Sequence, residues 1–530
     1  MIRKDNKQSS FLDADYICER LVPQDSFYRK FKELVMPLIK DEDFDSMYCR
    51  DNGRPAISPA LLACACILQF YRGLSDREIE RACTFDIEIK HALGLGIDER
   101  PFDHSSLGDF RQRLLENGRE KEIFDRIVRH LVDKKLIKKD EIQRIDTTHV
   151  IADIAIPSMI AMVKKGVYEI FKILRKHYVD AYNTIKKSVH ISEYRKNKVN
   201  QDMPGRVNIE KRKKKLVRIV AEAKIVLRYV EKLEMSEELK GKVDMLKQIL
   251  LENIKEDKRG RAVELENNEK PPDCMISPVD PDARCGAKSA TKRFMGYKAN
   301  VTETVKSRFI TNIMAMPGNA HDGSKTVEMV MEQMEHKIKP VKLIGDAAYS
   351  SGERRKELLK YGTQVVAPMK NKTGRAQHIF PKNMFKYNEE KQTLCCPNGI
   401  VTKRTTLDRR HDTITYHFPV YECEVCDLQA RCTNSWEERR TVGITSWHDV
   451  LLKTEKYNRT KQFLKEMKLR QPIEGKLSEM KRYHGMTRVR YRGLQKVGLQ
   501  FYFTAAAVNI KRWVKVILEK VKPKRVLCPV

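Results

Sequence analysis

Between Arg293 and Lys370 the hydrophobic period changes four times, and that order restricts the fold more than any other feature of the chain. "RFMGYKANVTETV" (Arg293 to Val305) and "SRFITNIMAMP" (Ser307 to Pro317) read as strands, and "AHDGSKTVEMVMEQMEH" (Ala320 to His336) as a helix. "KPVKLIGDAAYSSGERRKELLKYGTQVVAPMK" (Lys339 to Lys370) then runs strand, polar switch, helix, strand. An earlier β-leaning run, Ile142 to Val150, supplies a first strand. The order β-β-β-α-β-α-β predicts an α/β domain with a mixed sheet. Two strands reach acids, Asp146 and Asp346, and ligands of open α/β sheets sit outside carboxyl ends of strands.

Helical spacing dominates elsewhere. From Phe11 to about Leu115 apolar residues recur every three or four positions, and Ser75 with Glu78 predicts a capping box. These short helices suit a helix-turn-helix-like DNA-binding module or a plain helical bundle, and pattern alone does not separate the two. A basic helical insert is expected over 156–266, with Glu210 to Ile254 as an amphipathic hairpin whose charges are mostly a solvated face. DNA contact, dimerisation and scaffolding all stay open for it. The expected division is a helical N-terminal domain over 1–135 and a catalytic domain over 136–530.

Charge points to the partner. With 530 residues and a formal net charge of +31, the chain is built to meet a polyanion, either nucleic acid or an anionic membrane surface. The longest greasy stretch, Ile57 to Tyr71, is too short to span a bilayer, and the start lacks a signal-peptide core. A cytoplasmic, nucleoid-associated protein is therefore expected, whose 13 cysteines are reduced thiols or metal ligands.

Carboxylates from separate elements that converge are what two-metal phosphoryl chemistry requires, with Mg²⁺ or Mn²⁺ as the hard cation. Asp146 and Asp346 fit that need. A third acid lies in "LRQPIEGKLSEMKRYHGMTRVRYRGL" (Leu469 to Leu494). On a helix, Glu474 and Lys481 share a face, with Arg470 one turn before, whereas Glu479 lies about 140° around from Glu474 and reads as surface.

Arg470, Glu474 and Lys481, at that spacing, resemble the Tyr-Arg-Glu-Lys signature of bacterial insertion-sequence DDE transposases. "IDTTHV", "GDAAYSSGERR", "AAAVNIKRW", "DPDARCGAK" and the N-terminal "YRGLSDREIERAC" and "DHSSLGDFRQRL" are similar to that family as well. The resemblance implies an RNase H-like catalytic fold with Asp146, Asp346 and Glu474 as the acidic triad. It also implies that Arg470 and Lys481 contact DNA phosphates. Two departures stand out: Met467 occupies the position of the signature Tyr, and Pro472 fits only a first helical turn, which puts Arg470 just outside the helix.

Two further clusters carry chemistry. Cys395, Cys396, Cys423, Cys426 and Cys432 fall within 38 residues, and Cys423-x2-Cys426 has zinc-knuckle spacing. A small zinc-ribbon-like insertion over 385–440 is expected, with Cys396, Cys423, Cys426 and Cys432 holding a structural Zn²⁺ and Cys395 spare. Cys18, Cys49, Cys64, Cys66 and Cys83 read as core. "KRYHGMTRVRYRGL" interleaves Lys481, Arg482, Arg488, Arg490 and Arg492 with two tyrosines, which suits a groove that tracks a phosphate backbone. His149 reads as a hydrogen-bonded structural residue next to the site.

The reading is a transposase, a polynucleotidyl transferase that cuts the terminal inverted repeats of its element and joins them to target DNA, as a homodimer on paired double-stranded ends, with no membrane partner. A nuclease on the same fold without strand transfer and a non-catalytic DNA-binding descendant are the alternatives.

Overall fold

The computed structural model describes residues 16–17, 21–48, 56–154, 157–199, 209–266, 268–289, 291–369, 379–410, 412–435 and 439–521. Cys18 and Cys49 lie outside them. Apolar spacing folds the N-terminal region into α1 (Phe27–Leu34), α2 (Pro59–Arg72), α3 (Asp76–Phe85), α4 (Ile87–Leu93), α5 (His104–Glu116) and α6 (Glu122–Asp133). Their ends follow local chemistry. Ser58 caps α2 with Pro59 in its first turn, and Gly73, at φ +71°, ends it in the left-handed region that Gly adopts without strain. The Ser75–Glu78 capping box forms at α3: Ser75 N donates to Glu78 at 2.7 Å, and Glu78 N donates to Ser75 Oγ at 3.3 Å. Cys64, Cys66 and Cys83 are buried, and burial pushes their thiols far above the ordinary cysteine range.

The first strand forms at Gln143–Ile151 (β1). The insert then leaves the sheet as α7 (Met159–His177), α8 (Val179–Ile185), α9 (Ile209–Val230) and α10 (Glu237–Asn253), closed by a hairpin of β2 (Ile254–Glu256) and β3 (Ala262–Glu264). It has a core of its own, centred on Val167, Phe171, Val220, Leu246 and Ile249. The expected hairpin helices α9 and α10 pack mainly on α7 rather than on each other. Gly166 makes room on α7: a Cβ there would stand 2.8 Å from Leu246 Cδ1.

After β4 (Arg284–Ala287) come the long β5 (Arg293–Thr304), β6 (Ile310–Pro317), α11 (Thr326–Glu335), β7 (Lys342–Ile344), α12 (Gly352–Lys360) and β8 (Gln364–Val366). The strands form one mixed sheet in the order β4-β5-β1-β7-β8, with β6 also paired to β5. β4 and β6 share one edge of β5, β4 opposite Arg293 to Gly296 and β6 opposite Tyr297 to Glu303. β5 runs antiparallel to β1, while β7 and β8 continue parallel to it. α11 and α12 cover one face through Met329, Val330 and Leu358 packed on Ile145 and Leu343.

The cysteine-bearing insertion follows as two three-stranded sheets, β9 (Lys386–Asn388) with β10 (Thr393–Cys395) and β11 (Val401–Thr402), then β12 (Thr405–Asp408) with β13 (Thr413–His417) and β14 (Thr441–Thr445). A short α13 (Val420–Glu424) bears Cys423. β14 completes the second sheet, so the unit runs slightly past the expected 440. The chain closes with α14 (His448–Asn458), α15 (Lys461–Lys468), α16 (Pro472–Tyr483) and the long α17 (Leu494–Val521).

α17 is the joint of the molecule. It packs on β6, α2 and α6 at once, and Phe503 stacks on Phe70 with ring centroids 5.7 Å apart. One continuous apolar core therefore holds Phe31, Ile67 and Ile127 from the N-terminal helices, Val150 and Val301 from the sheet, and Phe501 from α17. Among the described residues no helix is long and apolar enough to cross a membrane.

Candidate active site

Strand register brings the two aspartates together. Arg144 of β1 pairs in parallel with Ile344 of β7, and two residues further on each strand reaches its Asp, 146 and 346. Asp146 is largely buried, accepts a hydrogen bond from its neighbour Thr147 N at 2.9 Å, and forms an ion pair with Arg470 at 3.0 Å. Burial pushes its carboxyl above the ordinary aspartate range; Arg470 opposes that rise and Asp346 adds to it. Asp346 caps a short 3-10 turn, accepting from Ala348 N at 2.7 Å. Behind both acids the buried Tyr349 hydroxyl bonds Thr147 Oγ1 at 2.6 Å and donates to Asn300 Oδ1 at 3.2 Å.

Pro472 stands in the first turn of α16, so the helix starts there and Arg470 lies outside it, paired with Asp146. Glu474, in that first turn, is exposed; its backbone N donates to the Gln471 carbonyl at 3.1 Å, and its carboxylate has no hydrogen-bond or ion-pair partner among the described residues. It faces an open cleft of about 520 Å³ that Asp146, His149, Asp322, Lys298 and Lys481 also line. Arg482 and Lys288 stand on the same cleft. Burial, then the charge of Lys288, pulls the Lys481 ammonium down to about 8, and burial with Lys481 and Lys288 holds His149 below the ordinary histidine value.

Several residues stand elsewhere than sequence alone suggested. Glu479, read as surface, is wedged where α16 meets α17: Lys511 reaches it at 2.7 Å and Lys476 at 3.6 Å, and His484 and these lysines hold its carboxyl well below the usual range. Arg490 turns inward over the Phe70 ring and donates to the Leu74 carbonyl, tying the N-terminal helices to the catalytic region. Arg488 and Arg492 stay exposed, both near Asp153, with Arg488 paired to its carboxylate at 3.3 Å. Three charged residues of the cleft escaped sequence reading: Lys288, and Asp322 with Lys298, which pair at 2.7 Å. A signal existed for Asp322: like Asp346 it is an acid shortly after a strand, here β6.

The acids of the cleft are oxygen donors suited to a hard cation, and the charge of Asp346 beside buried Asp146 is repulsion that a cation would relieve. No three of them place ligand atoms within 4.8 Å of one another. Among the described residues the only group of three ligand atoms within 4.8 Å of one another is Glu80, Asp103 and His104, on the N-terminal helices. That group is helix-end chemistry: Asp103 caps α5 and Glu80 accepts from His104 N.

In the insertion, Cys396, Cys423, Cys426 and Cys432 line one small pocket, while Cys395 Sγ turns to the Cys396 carbonyl. Burial raises the Cys432 thiol, and the neighbouring sulfurs add to the rise.

Residues 395–514 match a family model described as a transposase DDE domain, and residues 16–113 match one described as a transposase domain (DUF772). The first match covers the four pocket cysteines, Arg470, Glu474 and Lys481, and leaves β1 and β7 with their aspartates outside it. No curated protein and no solved structure matches the chain.

Proposed function

We propose that this chain, which belongs to the insertion-sequence DDE transposases, cuts DNA at the ends of its mobile element and joins the freed 3′ ends to target DNA with Asp146, Asp346 and Glu474 as its metal-binding acids. The observation that carries the reading is twofold: the parallel register of β1 with β7 carries Asp146 and Asp346 on neighbouring strands, and Asp146 and Glu474 line one cleft with Lys288, Lys298, Lys481 and Arg482. The sheet order, with β1, β7 and β8 parallel and β5 and β6 antiparallel, supports an RNase H-like fold.

Asp146, Asp346 and Glu474 would hold Mg²⁺ or Mn²⁺, which when bound supplies charge neutralisation at the attacking and leaving oxygens of the phosphate. The chain's own groups do the rest. Lys481, Arg482 and Lys288, which line the cleft, draw the phosphate backbone into it. Arg470 pairs with the Asp146 carboxylate and opposes the cost of its burial, and its guanidinium would be available to a DNA phosphate if that carboxylate held a metal ion. Water enters as the nucleophile for cutting, and the freed 3′-hydroxyl takes its place for joining.

Cys396, Cys423, Cys426 and Cys432 are read as the ligands of a structural Zn²⁺, supported by their gathering around one pocket in a unit with a small core. Double-stranded element ends and target DNA are the proposed partners, paired by a homodimer in the cytoplasm.

The test is cleavage and joining on a mini-element carrying the native ends, comparing the unaltered chain with Asp146→Asn, Asp346→Asn and Glu474→Gln. Each substitution is expected to abolish both steps while DNA binding persists. An active Glu474→Gln beside an inactive Glu479→Gln would show that the wrong acid of α16 has been assigned.

A further inference from the structure

We infer that a buried carboxylate remote from the cleft, Glu303, positions Arg470 and Glu474 through two arginines, Arg144 and Arg308; this rests on the reading of Glu474 given above. Glu303 is 0% exposed and lies directly opposite Arg144 in the β5–β1 register. Arg144 Nε donates to its Oε2 at 2.7 Å, and Arg308 Nε to its Oε1 at 2.8 Å. Each arginine then spends its other arm on the backbone that leads into α16. Arg144 Nη1 donates to the Leu469 carbonyl at 2.8 Å, and Arg308 Nη2 to the Pro472 carbonyl at 3.3 Å.

Those two carbonyls bracket Arg470 and Gln471, and Glu474 follows two residues later. The opening of α16 needs such support, because Gln471 provides no side-chain cap. Arg144 also sits two residues before Asp146 on β1. One ionic cluster therefore ties the strand of the first acid to the helix of the third and sets the spacing between them.

The cluster is costly to keep. A fully buried ion pair adds little net stability over an apolar replacement, since desolvation offsets the attraction. Arg308 in addition adopts φ +65°, a left-handed backbone that costs a residue with a side chain about 1–2 kcal/mol. The β5–β6 register shifts between Thr302 and Glu303, where Thr311 of β6 is the extra residue. The register shift and the buried charge meet at Glu303 and the left-handed turn lies at its partner Arg308, and what they deliver is the fixed start of α16. These are positioning residues; none lines the cleft.

The test uses the full chain with Arg308→Ala, Arg308→Lys and Glu303→Gln. Arg308 is 36% exposed, so its truncation leaves the buried Arg144–Glu303 pair in place. Three quantities are read: direct Mn²⁺ binding by calorimetry, the single-turnover cleavage rate at saturating end DNA, and affinity for that DNA. Arg308→Ala is expected to weaken Mn²⁺ binding and slow cleavage about 10–100-fold, the usual effect of losing a support behind a metal ligand, with DNA affinity and melting temperature unchanged. Arg308→Lys, which reaches one acceptor but not two, recovers part of the loss.

Unaltered Mn²⁺ binding and cleavage in Arg308→Ala, or losses that follow the melting temperature alone, overturn the inference. If Glu303→Gln fails to fold, Arg308→Ala decides alone. An inactive Glu474→Gln beside a normal Arg308→Ala refutes only this inference, whereas an active Glu474→Gln refutes the reading of the site beneath it.

Discussion

Lys481 gives the cleft a pH limit that can be worked out in advance. Its ammonium is pulled from the ordinary lysine value of 10.5 down to about 8 by burial and by Lys288. A DNA phosphate in the cleft supplies the missing counter-charge and returns the group toward 10.5. Below pH 8 the side chain is already charged and binding takes up no proton. Above pH 8 the free protein has lost the proton that the complex needs, so affinity falls with rising pH. If contact restores the full ordinary value, the loss is about 20-fold between about pH 7.5 and 9.5 and levels off near 300-fold. Lys481→Arg keeps its charge throughout this range and should bind with a flat profile. Fluorescence anisotropy of a labelled end duplex at constant ionic strength measures both. An arginine variant that declines in parallel with the unaltered chain would refute the argument, because the titrating group would then be another one.

Cys423→Ser should lower zinc content from about one equivalent per chain and lower the melting temperature of the insertion, as expected for a closed four-ligand site; a zinc-free unaltered protein would contradict the assignment. Gly352→Ala would place a Cβ 2.1 Å from Trp447 Cδ1, and the overpacking should cost about 1–3 kcal/mol in urea melts followed by tryptophan fluorescence. Gly241→Ala, inside α10 with no atom within 4 Å of the new Cβ, should instead gain about 0.5–1 kcal/mol in the same assay.

What the sequence made legible was local. The capping box at Ser75, the helix start at Pro472 and the strand that carries Asp146 each follow from a few neighbouring residues, and each stands where it was expected. The side-by-side placement of Asp146 and Asp346 needed one more step, the parallel pairing of β1 with β7, which the order of periods alone does not give. What stayed hidden depends on contacts between distant segments. Glu303 and Arg144 are 159 residues apart, and each alone reads as an ordinary strand charge. Arg490 reads as a phosphate contact and Glu479 as surface because a helix or loop position does not reveal what packs on it; here it is α2 and α17. Lys298 escaped for the same reason, since its partner Asp322 comes from another element.

The stacking of Phe70 on Phe503 bears on how the protein is made. The apolar face of α2 must wait for a helix encoded 433 residues later, roughly 20–90 s at ordinary ribosomal speeds of about 5–20 residues per second. Through that interval the N-terminal helices leave the ribosome with their packing surface bare. A reading-frame break anywhere before α17 would therefore remove more than the acids downstream of it. It would leave the N-terminal helices without the partner that completes their core, so a truncated copy would yield a segment for proteases rather than a stable fragment.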